Sequence, residues 1–372
     1  MAFLPPGFLP HLAALENAAN EEEAAHNYRV QRKRLRDACN PFDIPQAIFK
    51  QNFRLDKERA HGLIDKLTPL MQTQRAFSLT ATQKVLTALK FLSCGSYQRG
   101  SIAHHNLINL SQASVSRCLS DFLTAMDQAV VREVIIFPTT EAEIQATKLG
   151  FFEKFGFPGC IGAVDCTLIG IKRPSQNEEQ YYSHKNLHCI NAQIICDSNL
   201  RITNINPRHG GATHDGFIWR FSVINNHLRI AHQNGQTYTW LVGDSGYPTL
   251  PWVMIPIIHA DENTPEGRYT HAQIRTRNCV ERVIGVMKAK WRCILKHRIL
   301  HYEPGKARRI IRSCAALHNI AMTMEDYAHD AQNFEVDIDQ EGEPAGPLNG
   351  ILEDELAAGL VVRTELIAAH YG

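Results

Sequence analysis

The chain has 372 residues, of which 44% are hydrophobic and 21% are charged, a composition typical of a globular protein with two or three domains. Its net charge of +1 predicts no partner by itself, and no apolar run reaches the roughly 18 residues that a membrane span requires. Ten cysteines lie scattered in apolar stretches without the CxxC spacing of a zinc site, so we expect reduced thiols in an intracellular protein without a secretory leader.

The first predicted segment, residues 1–75, is mixed and polar. It contains a charged run, EEEAAHNYRVQRKRLRD, that predicts a helix over 21–37, and a loop signal follows at Asn40-Pro41-Phe42. Five basic residues of this run are candidates for phosphate contact or nuclear import: Arg29, Arg32, Lys33, Arg34 and Arg36. A solvated helix face explains the same pattern and is the interpretation that we favour.

Residues 76–148 are predicted to form an all-helical domain. Apolar residues in SLTATQKVLTALKFLSCGS repeat at helical spacing, and a serine or threonine stands where it could cap the helix. In the next stretch a short helix, a turn near Asn109-Leu110 and a helix opened by Ser111 predict a helix-turn-helix-like arrangement. Its second helix would present Arg117 to DNA, although many helical bundles contain such a turn without binding DNA.

Residues 149–325 alternate between predicted strands and helices. The first three strands are predicted at 160–171, 188–197 and 201–209. The tight turn Asp197-Ser198-Asn199 joins the second to the third and indicates antiparallel neighbours. A helix, two strands and two helices are then predicted at 215–228, 238–247, 252–256, 270–295 and 305–324. This order of elements is that of an RNase H-like fold.

Residues 326–372 are predicted to form an acidic C-terminal tail. Between residues 325 and 355 there are eleven acidic residues and no Lys or Arg, which is typical of a disordered or loosely attached segment. A short helix is expected over 356–369.

Three carboxylates stand out in the region of strands and helices. Asp165 interrupts an apolar strand in GAVDCT, where a charged side chain is costly unless it is paired or binds a metal. Asp244 follows the apolar strand of WLVGDSGY, and strand ends are where α/β sheets collect ligands. Glu281, in RNCVERVIGVMK, lies beside a predicted apolar stripe and could point over the sheet. Turns or caps would also explain the aspartates, and an ion pair with Arg282 would explain the glutamate.

Converging carboxylates suit Mg²⁺, a hard cation that prefers oxygen ligands. Two such ions about 3.5–4 Å apart would activate an attacking water and stabilise the leaving oxygen of a phosphodiester. Without an ion, clustered carboxylates repel one another and one of them stays protonated.

Positive charge is concentrated around Glu281. Between Arg268 and Arg312 there are thirteen Lys or Arg residues and only two acids. A glutamate in such a run would repel phosphate unless a metal masks its charge, whereas the basic side chains form a candidate phosphate track. The candidates for DNA contact on this track are Arg282, Lys288, Lys290 and Arg292. A basic face that balances the acidic tail is the alternative.

Taken in order, these segments resemble the PIF/Harbinger transposase superfamily, in particular the Harbinger transposase-derived nucleases of animal genomes. The similarity covers about residues 77–325. The motifs that carry it are LKFLSCGSYQR, LSQASVSRCL, GFPGCIGAVDCTLIGIKRP, LHCINAQIICD, HGGATHDGFIW, WLVGDSGYP, NCVERVIGVMKAKWRCI and CAALHNIA. Each motif is weak alone, and their order and spacing make the resemblance specific.

The resemblance implies an α/β, RNase H-like nuclease domain, here preceded by the all-helical, helix-turn-helix-like domain. It also implies a catalytic Asp-Asp-Glu triad, which falls by motif on Asp165, Asp244 and Glu281 and would bind a divalent cation, Mg²⁺ or Mn²⁺. Asp215, in THDGF, matches a further family aspartate expected near the metal, although capping of the following helix explains it equally well. Lys185 matches a polar family segment and is a candidate DNA contact.

The sequence therefore predicts a metal-dependent DNA endonuclease, either an active transposase or a domesticated protein that keeps the triad. The alternative is a domesticated DNA-binding or scaffold protein without catalysis. The resemblance also implies a separate Myb-like DNA-binding partner and a location in nucleus and cytoplasm, and homo-oligomerisation is left open. Zinc at His184 and His188 is disfavoured, since no Cys or acid stands at a suitable spacing.

Overall fold

The computed structural model describes residues 8–38, 40–71, 78–95, 107–322 and 353–372. The chain divides into two compact units. The first unit comprises Met1–Phe91 and Ser96–Phe122, and the second comprises Leu92–Gly95 and Leu123–Gly372. Neither boundary coincides with the predicted limits at 75 and 148, so those limits stay a prediction.

The described part of the first unit is built from helices. They are α1 (Phe8–Asp37), α2 (Gln46–Phe53), α3 (Lys57–Met71), α4 (Ala81–Cys94) and α5 (Gln112–Ala129), of which the last two run on into the second unit. The helix predicted over 21–37 is confirmed as part of α1. The short helix predicted before the turn at Asn109 falls on residues 96–106, outside the described residues.

The predicted turn ahead of α5 is present. Asn109 has a positive φ of 47°, and the Ser111 hydroxyl accepts a hydrogen bond from the Ser114 backbone N–H at 3.2 Å, which caps the helix. Arg32, on α1, donates to the Asn109 side chain at 3.0 Å and to the Leu110 carbonyl. This member of the basic run is therefore a structural tether of the turn, and the solvated-face interpretation does not hold for it.

The second unit contains a five-stranded mixed sheet. Its strands are β1 (Cys160–Gly170), β2 (Cys189–Cys196), β3 (Ile202–Gly210), β4 (Trp240–Val242) and β5 (Val253–Met254). They lie in the order β3-β2-β1-β4-β5. The first three strands are antiparallel neighbours, as predicted, and β4 and β5 run parallel to β1. A mixed α/β architecture is thus confirmed.

The fourth and fifth strands are shorter than predicted. The ladder between β4 and β1 ends where Val242 pairs with Ala163, because the chain turns away from the sheet at Gly243 and Asp244. Beyond Ala163, no further β4 residue pairs with β1, and Asp165 therefore stands on a strand segment whose β4-side edge is open.

Helices surround the sheet. In chain order they are α6 (Val131–Val134), α7 (Glu141–Phe155), α8 (Asp215–Arg220), α9 (Val223–Gln233), α10 (Pro265–Lys290), α11 (Pro304–Ala321) and α12 (Glu353–His370). The terminal helix is therefore confirmed, whereas the acidic residues 325–352 lie outside the described residues. No helix in the described ranges is long and apolar enough to cross a membrane.

Two helix predictions are corrected. The single helix predicted over 215–228 is two helices, because Ser222 interrupts it and caps α9 by accepting the Asn225 N–H at 3.0 Å. The long helix α10 begins earlier than predicted, at Pro265 after the Thr264 cap, and ends at Lys290. Arg292 consequently lies in a short 3₁₀ turn.

The buried face of α10 also differs in part from the predicted stripe. Val280 and Met287 are fully buried, as expected, and Val283 is buried where Ile284 was predicted to be. An apolar cluster elsewhere in the second unit contains Val164 and Leu241 of the sheet and side chains of the flanking helices and loops. The nine described cysteines are free and buried or half-buried.

The Asn319 side chain hydrogen-bonds the backbone at the start of β3, and its replacement tests how much these bonds stabilise the fold. This buried side chain of α11 accepts the Ile202 N–H at 2.8 Å and donates to the carbonyls of Ile202 at 2.7 Å and Val134 at 2.8 Å. We expect Asn319→Ala to leave these backbone groups unpaired and to lower the free energy of unfolding by about 2–4 kcal/mol. Urea denaturation followed by circular dichroism measures this loss.

Asn226, on the exposed face of α9, is the matched control. Asn226→Ala should change the free energy of unfolding by less than about 0.5 kcal/mol. Equal effects of the two substitutions would contradict the role of Asn319.

Candidate metal centre

The structure brings three aspartates together beside the open edge of β1. Asp165 lies within β1, Asp244 follows β4, and Asp215 is the first residue of α8. One carboxylate oxygen from each lies within 4.8 Å of the others, and each residue is half-buried. Residues that are far apart in the sequence thus form one oxygen-rich cluster.

The turn after β4 fixes the position of Asp244. Its carboxylate accepts the Gly246 N–H at 3.0 Å, and its carbonyl accepts the Tyr247 N–H at 3.2 Å. A Cβ at Gly243 would come within 3.1 Å of the Tyr247 ring and 3.3 Å of Val164, so a side chain there would crowd the turn. On the adjacent strand, the Asp165 carboxylate accepts the Cys166 N–H at 2.7 Å.

Asp215 is positioned by a buried asparagine. The Asn191 side-chain amide donates to the Asp215 carboxylate at 2.9 Å and to the Thr213 carbonyl at 3.0 Å. The cap position of α8 belongs to His214, whose side chain makes no capping hydrogen bond. The geometry therefore places Asp215 in the cluster, one residue after the cap position of α8.

Glu281 is connected to the cluster through an arginine. Arg277, one turn earlier on α10, pairs with Glu281 at 2.6 Å and with Asp165 at 3.5 Å. The three side chains are only 16%, 12% and 16% exposed, in the order Arg277, Glu281, Asp165. The ion pair considered between Glu281 and Arg282 is replaced by this one, and Arg282 is exposed. Arg277 therefore partly neutralises two of the predicted triad carboxylates.

Burial and mutual repulsion disfavour the charged forms of the aspartates. The pKa of Asp165 lies well above its usual range because of burial and then the Asp244 charge, which the Arg277 guanidinium opposes. Burial, followed by the Asp215 charge, raises the pKa of Asp244 to about 6. A divalent cation would relieve both effects, so the donor set fits a hard cation such as Mg²⁺ or Mn²⁺.

The structure distributes the candidate DNA contacts unevenly. Arg282, Arg292 and Lys185 are exposed on the second unit, and Arg117 is exposed on the first. Lys288 instead donates to the Leu168 carbonyl at 3.1 Å on β1. The remaining candidate, Lys290, is only 9% exposed, and the DNA contacts of all six stay predictions.

Several residues that shape the site were not singled out from the sequence. Gln273, fully buried on α10, donates to the carbonyls of Gly243 at 2.7 Å and Met254 at 3.0 Å, which ties the helix to the turn before Asp244. Asn191 and Arg277 were also missed. A polar residue inside the apolar run HCINAQIICD, and an arginine one turn before Glu281, are the signals that could have identified them.

His188, the residue for which a zinc site is disfavoured by the sequence, pairs with the carboxylate of Glu178. Its Nε2 lies 2.9 Å from the Glu178 Oε1, and this contact lowers the pKa of Glu178. The carboxylate partner of His188 is thus Glu178, which lies ten positions earlier in the chain, in the 3₁₀ turn Glu178–Tyr181.

Comparisons with known proteins identify the family to which the chain belongs. The sequence pattern of a family described as DDE superfamily endonuclease matches residues 164–319. The Rattus norvegicus protein named "Putative nuclease HARBI1" is 30% identical over 300 residues, 80% of this chain and 82% of the relative. The Homo sapiens protein of that name is 32% identical over 251 residues, 67% of this chain and 70% of the relative. "Protein ALP1-like" of Arabidopsis thaliana is 24% identical over 300 residues, 75% of this chain and 71% of the relative. No solved structure matches the chain.

The burial of Asp244 and the repulsion from its neighbour Asp215 predict how stability varies with pH in the absence of metal. Because the folded-state pKa of Asp244 is raised to about 6, the stability it contributes is present at low pH and lost as pH rises through 6. In EDTA, Asp244→Asn should therefore raise the free energy of unfolding by about 1–2 kcal/mol at pH 8 and by less at pH 5. Thermal denaturation at the two pH values measures the difference.

Glu153→Gln, an exposed substitution on α7, is the charge-matched control and should have no comparable effect. A gain for Asp244→Asn that is absent at pH 8, or larger at pH 5, would contradict the raised pKa.

Proposed function

The chain belongs to the Harbinger transposase-derived nucleases, and from this premise we propose that it is a metal-dependent DNA endonuclease. The family implies DNA as substrate and a divalent metal as cofactor. The single observation that carries the proposal is the cluster of Asp165, Asp215 and Asp244, whose carboxylate oxygens lie within 4.8 Å of one another. All three residues fall inside the matched residues 164–319.

We also propose that the sheet belongs to an RNase H-like nuclease fold. The order β3-β2-β1-β4-β5 supports this assignment, as do three antiparallel strands followed by two strands parallel to β1. In this arrangement the first aspartate stands on the central strand and the second at the end of its parallel neighbour, which gives the two a shared edge.

The proposed metal ligands are Asp165, Asp244 and Asp215, with Glu281 as the fourth carboxylate. In the proposed mechanism these residues would hold two Mg²⁺ or Mn²⁺ ions, which would activate the attacking water and stabilise the leaving oxygen. The chain's own residues orient the ligands: Asn191 holds the Asp215 carboxylate, and the Gly246 N–H holds that of Asp244.

Arg277 has a distinct electrostatic role in this proposal. Its guanidinium forms ion pairs with both the Asp165 and the Glu281 carboxylates, so it competes with a divalent cation for their negative charge. It also lowers the repulsion that the carboxylates would otherwise feel before metal binds. The site is thereby stable enough to fold and remains able to accept a cation.

DNA would reach the site along the exposed basic side chains. Arg282 and Arg292 lie within and just after α10, and Lys185 precedes β2. We propose that they contact phosphate, and that a separate Myb-like protein provides sequence recognition and nuclear import. Arg117, exposed on the first unit, is a separate proposed phosphate contact. The location in nucleus and cytoplasm, which rests on the resemblance, is part of the same proposal.

The proposed role of the triad is tested by nicking of supercoiled plasmid in Mg²⁺ or Mn²⁺, with a Myb-like partner supplied. Asp165→Asn, Asp244→Asn and Glu281→Gln should each reduce the rate by about 100-fold or more, because each removes a charged metal ligand. Glu153→Gln should nick at the wild-type rate. Wild-type protein that binds DNA without metal-dependent nicking would instead support a non-catalytic DNA-binding protein.

A second prediction concerns Arg277 and is independent of DNA cleavage. Arg277→Gln removes the guanidinium charge that competes with the metal ion. It should lower the Kd for Mn²⁺ by about threefold to tenfold, as measured by calorimetry without DNA. Arg282→Gln, which removes an exposed charge from the same helix, should change the Kd less than twofold. Weaker Mn²⁺ binding by Arg277→Gln would show that Arg277 supports the metal site rather than competes with it.

A further inference from the structure

Two aromatic side chains are exposed on and directly after α8, the helix that begins with Asp215. Phe217 and Phe221 are 50% and 57% exposed, and their ring centroids lie 4.7 Å apart with a 49° angle between the planes. The opposite side of α8 supplies the apolar anchor, since Ile218 and Trp219 are fully buried. The packing of α8 is thus already satisfied, and the two exposed rings form an aromatic surface that faces solvent.

Positive charge surrounds this pair of rings. The Arg220 guanidinium lies over the Phe221 ring, 4.8 Å from its centroid. His209, at the end of β3, meets Phe217 edge-on at 6.4 Å. Burial lowers the pKa of His209, and the charges of Arg308 and Arg208 lower it further. We call the side chains of His209, Phe217, Arg220 and Phe221 the aromatic-basic patch.

The patch is fixed relative to the candidate metal centre. Phe217 is two residues after Asp215 on the same short helix. Gly216 lies between them, and a Cβ there would come within 3.0 Å of the Gly246 carbonyl in the turn that positions Asp244. Helix α8 therefore lies against that turn, so the patch and the aspartates Asp215 and Asp244 are carried by elements in close contact.

We propose that the aromatic-basic patch binds unpaired nucleobases of the DNA strand that is cut. Aromatic faces flanked by arginines are how proteins hold single-stranded nucleic acid, because every base offers a π-face and every nucleotide a phosphate. A purely apolar protein partner would gain nothing from the Arg220 guanidinium over the Phe221 ring. The inference rests on the proposed DNA endonuclease function and specifies its substrate: DNA that is locally unpaired beside the scissile phosphate.

The test is equilibrium binding of the full chain to a fluorescein-labelled single-stranded oligonucleotide and to its duplex. Fluorescence anisotropy in EDTA excludes cleavage. The double substitution Phe217→Leu, Phe221→Leu should raise the Kd for the single strand by about tenfold and that for the duplex by less than twofold. Phe217→Trp, which keeps a stacking face, should retain the wild-type affinity for the single strand.

Phe152→Leu on α7 is the matched control, since Phe152 is an equally exposed phenylalanine, at 52%. It should leave both Kd values unchanged. An unchanged single-strand Kd in the double variant would overturn the proposal, and so would an equal loss of affinity for single strand and duplex. A change in sedimentation of the double variant, with single-strand binding intact, would identify the patch as a protein contact and overturn it as well.

The outcome is separable from that of the endonuclease proposal. Wild-type protein that nicks plasmid, while the double variant binds single strands normally, would refute the patch and leave the nuclease standing. The expected tenfold loss in a protein that never nicks would support the patch and refute the nuclease.

Discussion

Repulsion among Asp165, Asp215 and Asp244 is the interaction on which the rest of this site depends. Three half-buried carboxylates within 4.8 Å of one another oppose folding unless protons, cations or hydrogen-bond donors compensate them. The chain supplies part of that compensation: Asn191 donates to Asp215, and Arg277 places a positive charge beside Asp165. Burial and the repulsion that remains uncompensated raise the pKa values of Asp165 and Asp244, and a divalent cation would relieve both effects.

The fold creates this repulsion by ending one strand early. Because β4 stops at Val242, opposite Ala163, the chain can turn at Gly243 and bring Asp244 back toward β1. Gln273 holds this turn from α10, the same helix that carries Arg277 and Glu281. A short strand, a tight turn and one long helix therefore place Asp244, Arg277 and Glu281. The same turn contacts α8, which carries the exposed Phe217 ring, through the close approach of Gly216.

Much of the sheet could be predicted from the sequence, because its first three strands are apolar runs separated by recognisable turns. Asp165 and Asp244 could be chosen because charged residues are conspicuous within or after such runs, and the family resemblance added Asp215. The break at Ser222 could not be foreseen, since a serine within an apolar period is compatible with one helix or two. The contacts of Arg277, Lys288 and Lys290 depend on which helix face packs on the sheet, and a run of basic residues does not encode that.

The most direct test of the metal centre is anomalous X-ray scattering from crystals of the full chain grown with Mn²⁺. We predict an anomalous peak bound by the carboxylates of Asp165 and Asp244, with Asp215 beside it, and its loss in Asp244→Asn crystals. Ordered aspartates without a peak, or Mn²⁺ found only at other carboxylates, would contradict the assignment of this cluster as the metal site.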